Sequence, residues 1–279
     1  MPRLAVLGHP VAHSRSPAMH AAAFQALGIG DEWSYEAIDV RPDEFESRLR
    51  ALVSEGYGGA NVTVPHKLAA LALADSASPA ARAIGAANML TFSDRGVAAD
   101  NTDAPGLLGA LPGGVAGKRA VVLGAGGAAR ACVWALVHTG TEVGVWNRTR
   151  PRAATLAAEF GAEVIDTEDQ SLGADTYDLL VNATTVGLDA AAGTRSESRD
   201  PRSDLKPLPL GADSVSARHV VVDLVYGSSE TPLSAFARQR GADVVDGLEV
   251  LVHQGAASFR LWIGLDPPID VMRDAARKT

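Results

Sequence analysis

A Gly-rich segment in the middle of the chain has the residue types and spacing of a dinucleotide-binding turn. Residues 120–130 read AVVLGAGGAAR, in which an apolar strand ends at Gly124 and a G-x-G-x-x-A pattern is completed by Gly126 and Ala129. The first glycine allows a tight turn, the second lets the backbone approach a pyrophosphate, and the small third residue lets a helix pack on its strand. Unpaired N–H groups at the start of that helix bind phosphates. The segment therefore predicts a bound dinucleotide, a cofactor that carries a hydride.

The residues after the next predicted strand discriminate between NAD and NADP. An NAD site usually has Asp or Glu here, which accepts hydrogen bonds from the ribose 2′-hydroxyl. This chain has Asn147, Arg148, Thr149 and Arg150, with Arg152 close behind. A guanidinium can bind a 2′-phosphate through two parallel charged hydrogen bonds. The pattern favours NADP, although one of Arg150 and Arg152 could be a solvated residue at a helix start.

Polar residues in the first hundred positions could hold a small anionic ligand. Ser14 and Ser16 lie just before and at a predicted helix start in GHPVAHSRSPAMH, where hydroxyls and helix N–H groups can bind a carboxylate. Ser16 is also a good N-cap, which is a purely structural role. Lys67 falls in the first turn of a helix that we expect Pro65 to open, and a cation is disfavoured there. This makes Lys67 a candidate functional residue.

These segments lie on a regular alternation of strands and helices, which predicts an α/β fold with mainly parallel strands. The predicted strands are Arg3–Gly8, Trp33–Asp39, Gly59–Val64, Asn88–Ser93, Val97–Asp100, Ala120–Leu123, Glu142–Trp146, Asp178–Val181 and Val220–Leu224. The predicted helices include Pro42–Val53, Gly127–Val137, Pro151–Phe160, Pro232–Gln239 and Leu248–Ile263. A Gly-rich stretch at 111–118 indicates a domain boundary. Residues 189–217 lack periodicity, and we expect a solvated variable loop there rather than a lid.

Composition excludes several classes of function. The chain has 279 residues, 47 % of them apolar, and a formal charge of −8, which argues against nucleic acid or an anionic membrane as the main partner. The single cysteine, Cys132, excludes an internal disulfide framework and a Cys-based zinc site. Neither an H-E-x-x-H motif nor a dense ligand cluster is present, so we predict no metal. The sequence shows neither a signal-peptide pattern nor an apolar run of the ~20 residues that span a bilayer, and we expect a cytoplasmic protein.

Taken together, the polar motifs resemble those of the shikimate dehydrogenase family. The match is ordered and covers nearly the whole chain, with GHPVAHSRSPAMH, NVTVPHK, GAAN, NTD, GAGGAAR, NRT, NATTVG, DLVY with TPL, and HQG. The resemblance implies an N-terminal α/β substrate domain, residues 1–103 plus 240–279, and a Rossmann-type doubly wound NADP-binding domain, residues 104–239, with the active-site cleft between them. It also implies NADPH-dependent, reversible reduction of 3-dehydroshikimate to shikimate in aromatic amino-acid biosynthesis.

The resemblance also implies roles for individual residues. The expected catalytic pair is Lys67 and Asp103, which would also contact the substrate. The other expected substrate ligands are Ser14, Ser16, Thr63, Asn88, Tyr226 and Gln254. The expected cofactor-binding residues are Gly124, Ala125, Gly126, Gly127 and Ala128 for the pyrophosphate, Asn147, Arg148, Thr149 and Arg152 for the adenosine phosphate, and Leu224 and Gly247 for the nicotinamide.

Such a reduction requires a hydride on carbon and a proton on oxygen, and Lys67 is the expected proton donor. Two alternatives stay open: a quinate or quinate/shikimate dehydrogenase, and a non-catalytic NADP-binding regulator on the same fold. The protein could be a monomer or a homodimer.

Overall fold

The computed structural model describes residues 2–167, 171–188 and 202–278. Contacts divide the chain into two compact units, Met1–Gly109 with Leu251–Thr279, and Ala110–Val250. Each unit has a β-sheet with helices, so the predicted α/β class with two domains is confirmed. The boundaries predicted after residue 103 and before residue 240 do not coincide with this division, because a helix continues past residue 103 and a strand of the second unit follows residue 240.

The first unit contains a mixed sheet. Its strands are β1 (Arg3–Gly8), β2 (Ser34–Asp39), β3 (Tyr57–Val62), β4 (Ser76–Ala77), β5 (Met89–Ser93) and β6 (Gly96–Asp100), in the order β2-β1-β3-β5-β6-β4. Strand β1 pairs in parallel with β2 and β3, whereas β5 runs antiparallel to both β3 and β6. The predicted hairpin between residues 88–93 and 97–100 is therefore confirmed.

Helices pack on the sheet of the first unit. They are α1 (Ser16–Ala26), α2 (Phe45–Ser54), α3 (Lys67–Leu73), α4 (Pro79–Ile84) and α5 (Asp103–Ala110), and helices α10 (Gly247–Ile263) and α11 (Ile269–Lys278) lie near the end of the chain. Helix α2 packs on the sheet through a core that includes Leu7, Phe45, Leu49 and Leu90. Helix α3 begins at Lys67 rather than at Pro65, because residues 63–66 form a turn closed by a bond from the His66 N–H to the Thr63 carbonyl.

The second unit contains a parallel sheet. Its elements are β7 (Arg119–Leu123), α6 (Gly127–His138), β8 (Glu142–Trp146), α7 (Arg150–Phe160), β9 (Glu163–Val164), β10 (Leu179–Asn182), α8 (Arg202–Leu205), β11 (Val220–Asp223), α9 (Pro232–Gln239) and β12 (Asp243–Val245). The strand order is β12-β11-β10-β7-β8-β9. It reverses between β7 and β10, as in a Rossmann-type sheet, where ligands bind at the carboxyl ends of the strands beside the reversal.

Part of the segment that was expected to be a solvated loop is packed. Residues 189–201 lie outside the described residues, but α8 and the residues after it bury Leu205, Leu208 and Val215 in the core of the second unit. The prediction is therefore wrong for residues 202–217, because isolated apolar residues with irregular spacing can still fill a core. Among the described residues, no helix is long and apolar enough to cross a membrane.

Candidate active site

The sheet of the first unit brings several polar segments to one edge. Thr63 and Lys67 follow the carboxyl end of β3, Asn88 precedes the amino end of β5, and Asp103 follows the carboxyl end of β6. Since β5 is antiparallel to its two neighbours, its amino end lies at the same edge as their carboxyl ends. Residues far apart in the sequence therefore meet at this edge.

Lys67 and Asp103 form a close ion pair. The Nζ atom of Lys67 donates a hydrogen bond of 2.6 Å to Oδ2 of Asp103, and the two side chains are only 11 % and 16 % exposed. Each lies at the first position of its helix, and the Asn101 side chain accepts hydrogen bonds from the backbone N–H groups of Asp103 and Ala104 at the start of α5. The carboxylate offsets the unfavourable position of a cation at the start of α3. The pair is partly shielded from water and still accessible, as a proton-handling group must be.

Asn88 holds the second carboxylate oxygen of Asp103. Its Nδ2 atom lies 2.9 Å from Oδ1 of Asp103 and 3.1 Å from Oε1 of Gln254, while its Oδ1 atom accepts from the backbone N–H of Thr102 at 2.6 Å. Because that backbone group can only donate, the orientation of the amide is fixed. Asp103 therefore has one oxygen directed to Asn88 and the other to Lys67.

Gln254 reaches this cluster because α5 and α10 approach closely. A Cβ atom on Gly106 would lie 2.5 Å from the Cβ atom of Gln254, so only glycine permits this contact. The Nε2 atom of Gln254 donates to the carbonyl of Leu251, which directs Oε1 towards Asn88. The structure thus brings together Lys67, Asn88, Asp103 and Gln254, and their individual roles stay predictions.

Behind the cluster lies a buried polar network that the sequence did not reveal. The hydroxyls of Thr102 and Ser258 are 2.9 Å apart, and Ser258 accepts from Nδ2 of Asn61, whose Oδ1 accepts from the Tyr35 hydroxyl. Ser258 is fully buried in α10, where a polar residue interrupts an apolar helical pattern. That interruption, and the asparagine within the apolar strand β3, were the signals that could have indicated the network.

Ser14 and Thr63 lie on the loops after β1 and β3, which are neighbours in the sheet, and Ser16 is the first residue of α1. Ser14 Oγ accepts a hydrogen bond from the backbone N–H of Ser16 at 3.3 Å, which connects the loop to the start of α1. The N-cap position of α1 is Arg15, with no side-chain capping bond, so the alternative that Ser16 is the N-cap is wrong. Thr63 is half-buried, and its backbone N–H donates to the carbonyl of Leu7.

The Gly-rich turn has the geometry that a pyrophosphate requires. Gly124 has a φ of +115°, and a Cβ atom there would lie 2.9 Å from the carbonyl oxygen of Ala183. Among the described residues, no atom lies within 4 Å of a Cβ atom built on Gly126, which leaves space above the start of α6. Gly127 and Ala128 form the first turn of α6, whose N–H groups have no acceptor within the helix. Together with Ala125, these residues fit a bound dinucleotide phosphate.

The residues after β8 include exposed cations. Arg148, Thr149 and Arg152 are exposed, and the Asn147 side chain donates to the carbonyl of Thr149. Arg150 forms an exposed ion pair of 2.7 Å with Asp166. The guanidinium groups of the other two arginines suit a 2′-phosphate.

At the carboxyl end of β11 lies a fully buried carboxylate, Asp223. Burial raises its pKa to about 6, against hydrogen bonds from Thr231, Val225 and Asn182 that lower it. The following residues Leu224 and Tyr226 are half-buried. Asp223 is the first residue of the DLVY motif, but the family resemblance implied no role for it, and an aspartate at the end of an apolar strand is common.

Gly247 packs on the segment that follows Asp223. A Cβ atom on Gly247 would lie 2.7 Å from the carbonyl oxygens of Leu224 and Val225. Leu224 and Gly247 are therefore neighbours, as their shared expected role at the nicotinamide requires.

Comparisons with known proteins agree with this geometry. Residues 6–90 match the family model of the shikimate dehydrogenase substrate binding domain, residues 110–196 that of shikimate / quinate 5-dehydrogenase, and residues 247–277 that of the shikimate 5′-dehydrogenase C-terminal domain. A shikimate dehydrogenase (NADP(+)) of Thermus thermophilus is 46 % identical over 100 % of this chain and 98 % of its own length. That of Methanothermobacter thermautotrophicus is 39 % identical over 98 % of this chain and 95 % of its own.

A solved structure extends the comparison to three dimensions. The shikimate 5-dehydrogenase of Thermus thermophilus, in complex with NADP(H) and shikimate, has a TM-score of 0.85 and 44 % identity, covering 100 % of this chain and 99 % of that one. Similarity of this extent in sequence and structure shows that the chain belongs to the shikimate dehydrogenase family.

Proposed function

We propose that this protein catalyses the reversible, NADPH-dependent reduction of 3-dehydroshikimate to shikimate. The observation that carries the proposal is the Lys67–Asp103 pair, with Nζ and Oδ2 2.6 Å apart and the other carboxylate oxygen bound to Asn88. A member of this family that had lost catalysis would have no need of a shielded ammonium–carboxylate pair at the edge of its sheet.

Lys67 supplies the proton in the direction of reduction. Its ammonium group donates a proton to the carbonyl oxygen as that oxygen becomes an alkoxide, and the neutral amine takes the proton back when shikimate is oxidised. Asp103 holds the ammonium through Oδ2, and the same carboxylate can accept a hydrogen bond from a substrate hydroxyl. Asn88 restricts the rotation of this carboxylate, so the donor is already oriented when the substrate arrives.

We assign the remaining substrate contacts from the family to which the chain belongs. Ser14 and Ser16 bind the substrate carboxylate at the start of α1, while Thr63 and Gln254 bind its carboxylate or hydroxyls. We propose that Tyr226 contacts the substrate as well. These assignments are supported by the family and by the loops and helices that carry the residues.

The second unit fits NADP(H), which supplies the hydride when bound. Gly124 makes the tight turn, Gly126 leaves room for the pyrophosphate at the start of α6, and the N–H groups of that helix bind it. Arg148 and Arg152 bind the 2′-phosphate, with Asn147 and Thr149 shaping the turn between them. Leu224 and Gly247 form a wall beside the nicotinamide.

The experiment measures NADPH oxidation with 3-dehydroshikimate for the wild type, Lys67→Ala and Lys118→Ala. Loss of a positioned proton donor should lower kcat about 10²- to 10⁴-fold while KM changes less. Lys118 is an exposed lysine of the second unit, and its variant should retain wild-type kcat. Near wild-type kcat in Lys67→Ala would refute the assignment of the proton donor.

The same assay separates the alternatives. Values of kcat/KM for shikimate and quinate, each with NADP⁺ and NAD⁺, distinguish a shikimate dehydrogenase from a quinate/shikimate dehydrogenase. Binding of NADPH without any turnover of 3-dehydroshikimate would instead identify a regulator.

A further inference from the structure

The carboxylate of Asp223 is surrounded by neutral hydrogen-bond donors. Its oxygens accept from the Thr231 hydroxyl at 2.6 Å, from Nδ2 of Asn182 at 2.8 Å and from the backbone N–H of Val225 at 3.1 Å. The side chain is fully buried at the carboxyl end of β11. All three neighbours donate here, so an ionised carboxylate satisfies them, whereas an amide accepting from Asn182 and Val225 would turn its NH₂ group to the Thr231 hydroxyl and displace the proton that this hydroxyl donates.

One of these bonds orders the loop of residues 183–187. Asn182 directs Nδ2 to Asp223, which turns its Oδ1 atom towards the backbone N–H and hydroxyl of Thr184, at 3.1 and 2.7 Å. The Thr184 hydroxyl in turn accepts from the backbone N–H of Val186 at 3.0 Å. This loop follows β10 at the point where the strand order reverses, and its Ala183 carbonyl faces Gly124.

The other two bonds order the chain after β11. The bond from Val225 fixes residues 224–226, and the carbonyls of Leu224 and Val225 pack on Gly247. The bond from Thr231 holds the residue that caps α9, because the same hydroxyl accepts from the backbone N–H of Ser234. A single carboxylate thus ties together residues 183–187, which adjoin the Gly-rich turn, and residues 224–226, which adjoin the expected nicotinamide position.

Such a carboxylate does not favour folding by itself. Burial raises its pKa to about 6, so near neutral pH the folded protein must hold an ion that water would solvate better. Asp223 therefore contributes unfavourably to the free energy of folding, although it lies at the ligand-binding edge of the sheet. Its role in orienting the neighbouring loops explains its presence better than a role in stability does.

We propose that Asp223 is a positioning residue that holds residues 183–187 and 224–226 in the conformation that the nicotinamide half of the cofactor requires. The inference rests on the proposed function, because that function places a nicotinamide beside Leu224 and Gly247. It predicts that Asp223 affects the binding of one half of the cofactor and leaves that of the adenosine half unchanged.

The test compares two ligands by calorimetry: NADP⁺, and 2′-phosphoadenosine 5′-diphosphate, which lacks the nicotinamide riboside. In Asp223→Asn the Kd of NADP⁺ should rise about tenfold or more, while that of the fragment stays within about twofold. Thr231→Val removes a single donor and should show the same selectivity with a smaller rise. It also provides a valid test if Asp223→Asn does not fold.

Ser214→Ala is the matched control. It removes a buried hydroxyl of the second unit whose partners, Leu172 and Gly211, are not predicted site residues, so it should lower Tm without changing either Kd. Equal weakening of both ligands in the Asp223 and Thr231 variants, or weakening of neither, would overturn the proposal. Turnover by the wild type tests the proposed function separately, since the two Kd values do not require catalysis.

Discussion

Replacing Asn88 with alanine should disorient the carboxylate of Asp103 without removing either member of the ion pair. The Asn88 side chain is 2 % exposed and binds Oδ1 of Asp103, the backbone N–H of Thr102 and Oε1 of Gln254. Alanine removes the bond to Oδ1 and leaves the bond from Lys67 to Oδ2. The carboxylate can then rotate, and the ammonium group follows it.

The size of the effect follows from the charge of the acceptor. A hydrogen bond to an ionised group contributes about 1.5–3 kcal/mol, and about 1.4 kcal/mol corresponds to a factor of ten in rate, so kcat/KM should fall roughly 10- to 150-fold. The loss should appear mainly in kcat if Asn88 acts by orienting Asp103, and mainly in KM if it acts by binding the substrate.

The assay is steady-state oxidation of shikimate by NADP⁺, at a temperature well below the Tm of the variant. Tyr57→Phe is the matched control, because Tyr57 donates a hydrogen bond of 2.6 Å to the carboxylate of Glu36 at the opposite, amino end of β3. It should lower stability and leave kcat/KM unchanged. A kcat/KM within about threefold of the wild type in Asn88→Ala would refute the reasoning, since it would show that Asp103 is oriented without the hydrogen bond from Asn88.

Two further predictions concern the second unit. Gly124→Ala places a Cβ atom at a φ of +115° and 2.9 Å from the Ala183 carbonyl, so it should weaken NADP⁺ binding and lower the Tm; an unchanged Kd by calorimetry would show that the turn does not approach the cofactor. Burial raises the pKa of Asp223 from an ordinary 3.8 to about 6, so between these pH values the folded protein binds a proton that the unfolded chain releases. The resulting contribution to the stability of the folded protein is fully present below pH ~4 and is lost as the pH rises through ~6. At about 1.4 kcal/mol for each pH unit, the free energy of unfolding of the wild type should fall by up to about 3 kcal/mol over this range relative to Asp223→Asn. Urea unfolding at several pH values measures this difference, and parallel pH profiles of the two proteins would contradict it.

Local signals in the sequence were sufficient for the elements with strong periodicity. Strand β7, the Gly-rich turn and α6 were predicted closely, since an apolar strand, a glycine with a special φ and a small packing residue are all encoded within one short segment. Short or weakly patterned elements were missed. Strands β4 and β9 have two residues each, and α5 carries glycine and proline inside its length, so neither periodicity nor propensity marks them.

The Lys67–Asp103 pair could be expected from the family resemblance, whereas its own spacing does not indicate it. No local pattern around Lys67 or Asp103 predicts that the two side chains are in contact. Their distance depends on the tertiary arrangement in which β5 runs antiparallel between β3 and β6. Lys67 alone could be singled out from its local sequence, because a cation at the start of a helix is electrostatically unfavourable. Such conflicts are expected where a residue serves function rather than folding.

The hydrogen-bond partners of Asp223 and Ser258 could not be predicted from local sequence patterns either. Each is a buried polar residue in or beside an apolar run, and from the sequence either could be an ordinary strand end or helix-face residue. Their importance depends on partners 41 positions away for Asp223 and 197 positions away for Ser258. Buried polar groups are costly unless every partner is present, so each one constrains several segments at once. Both connect segments that carry or adjoin predicted site residues, and substitutions there should therefore alter ligand affinity or rate more selectively than substitutions of equally buried apolar residues.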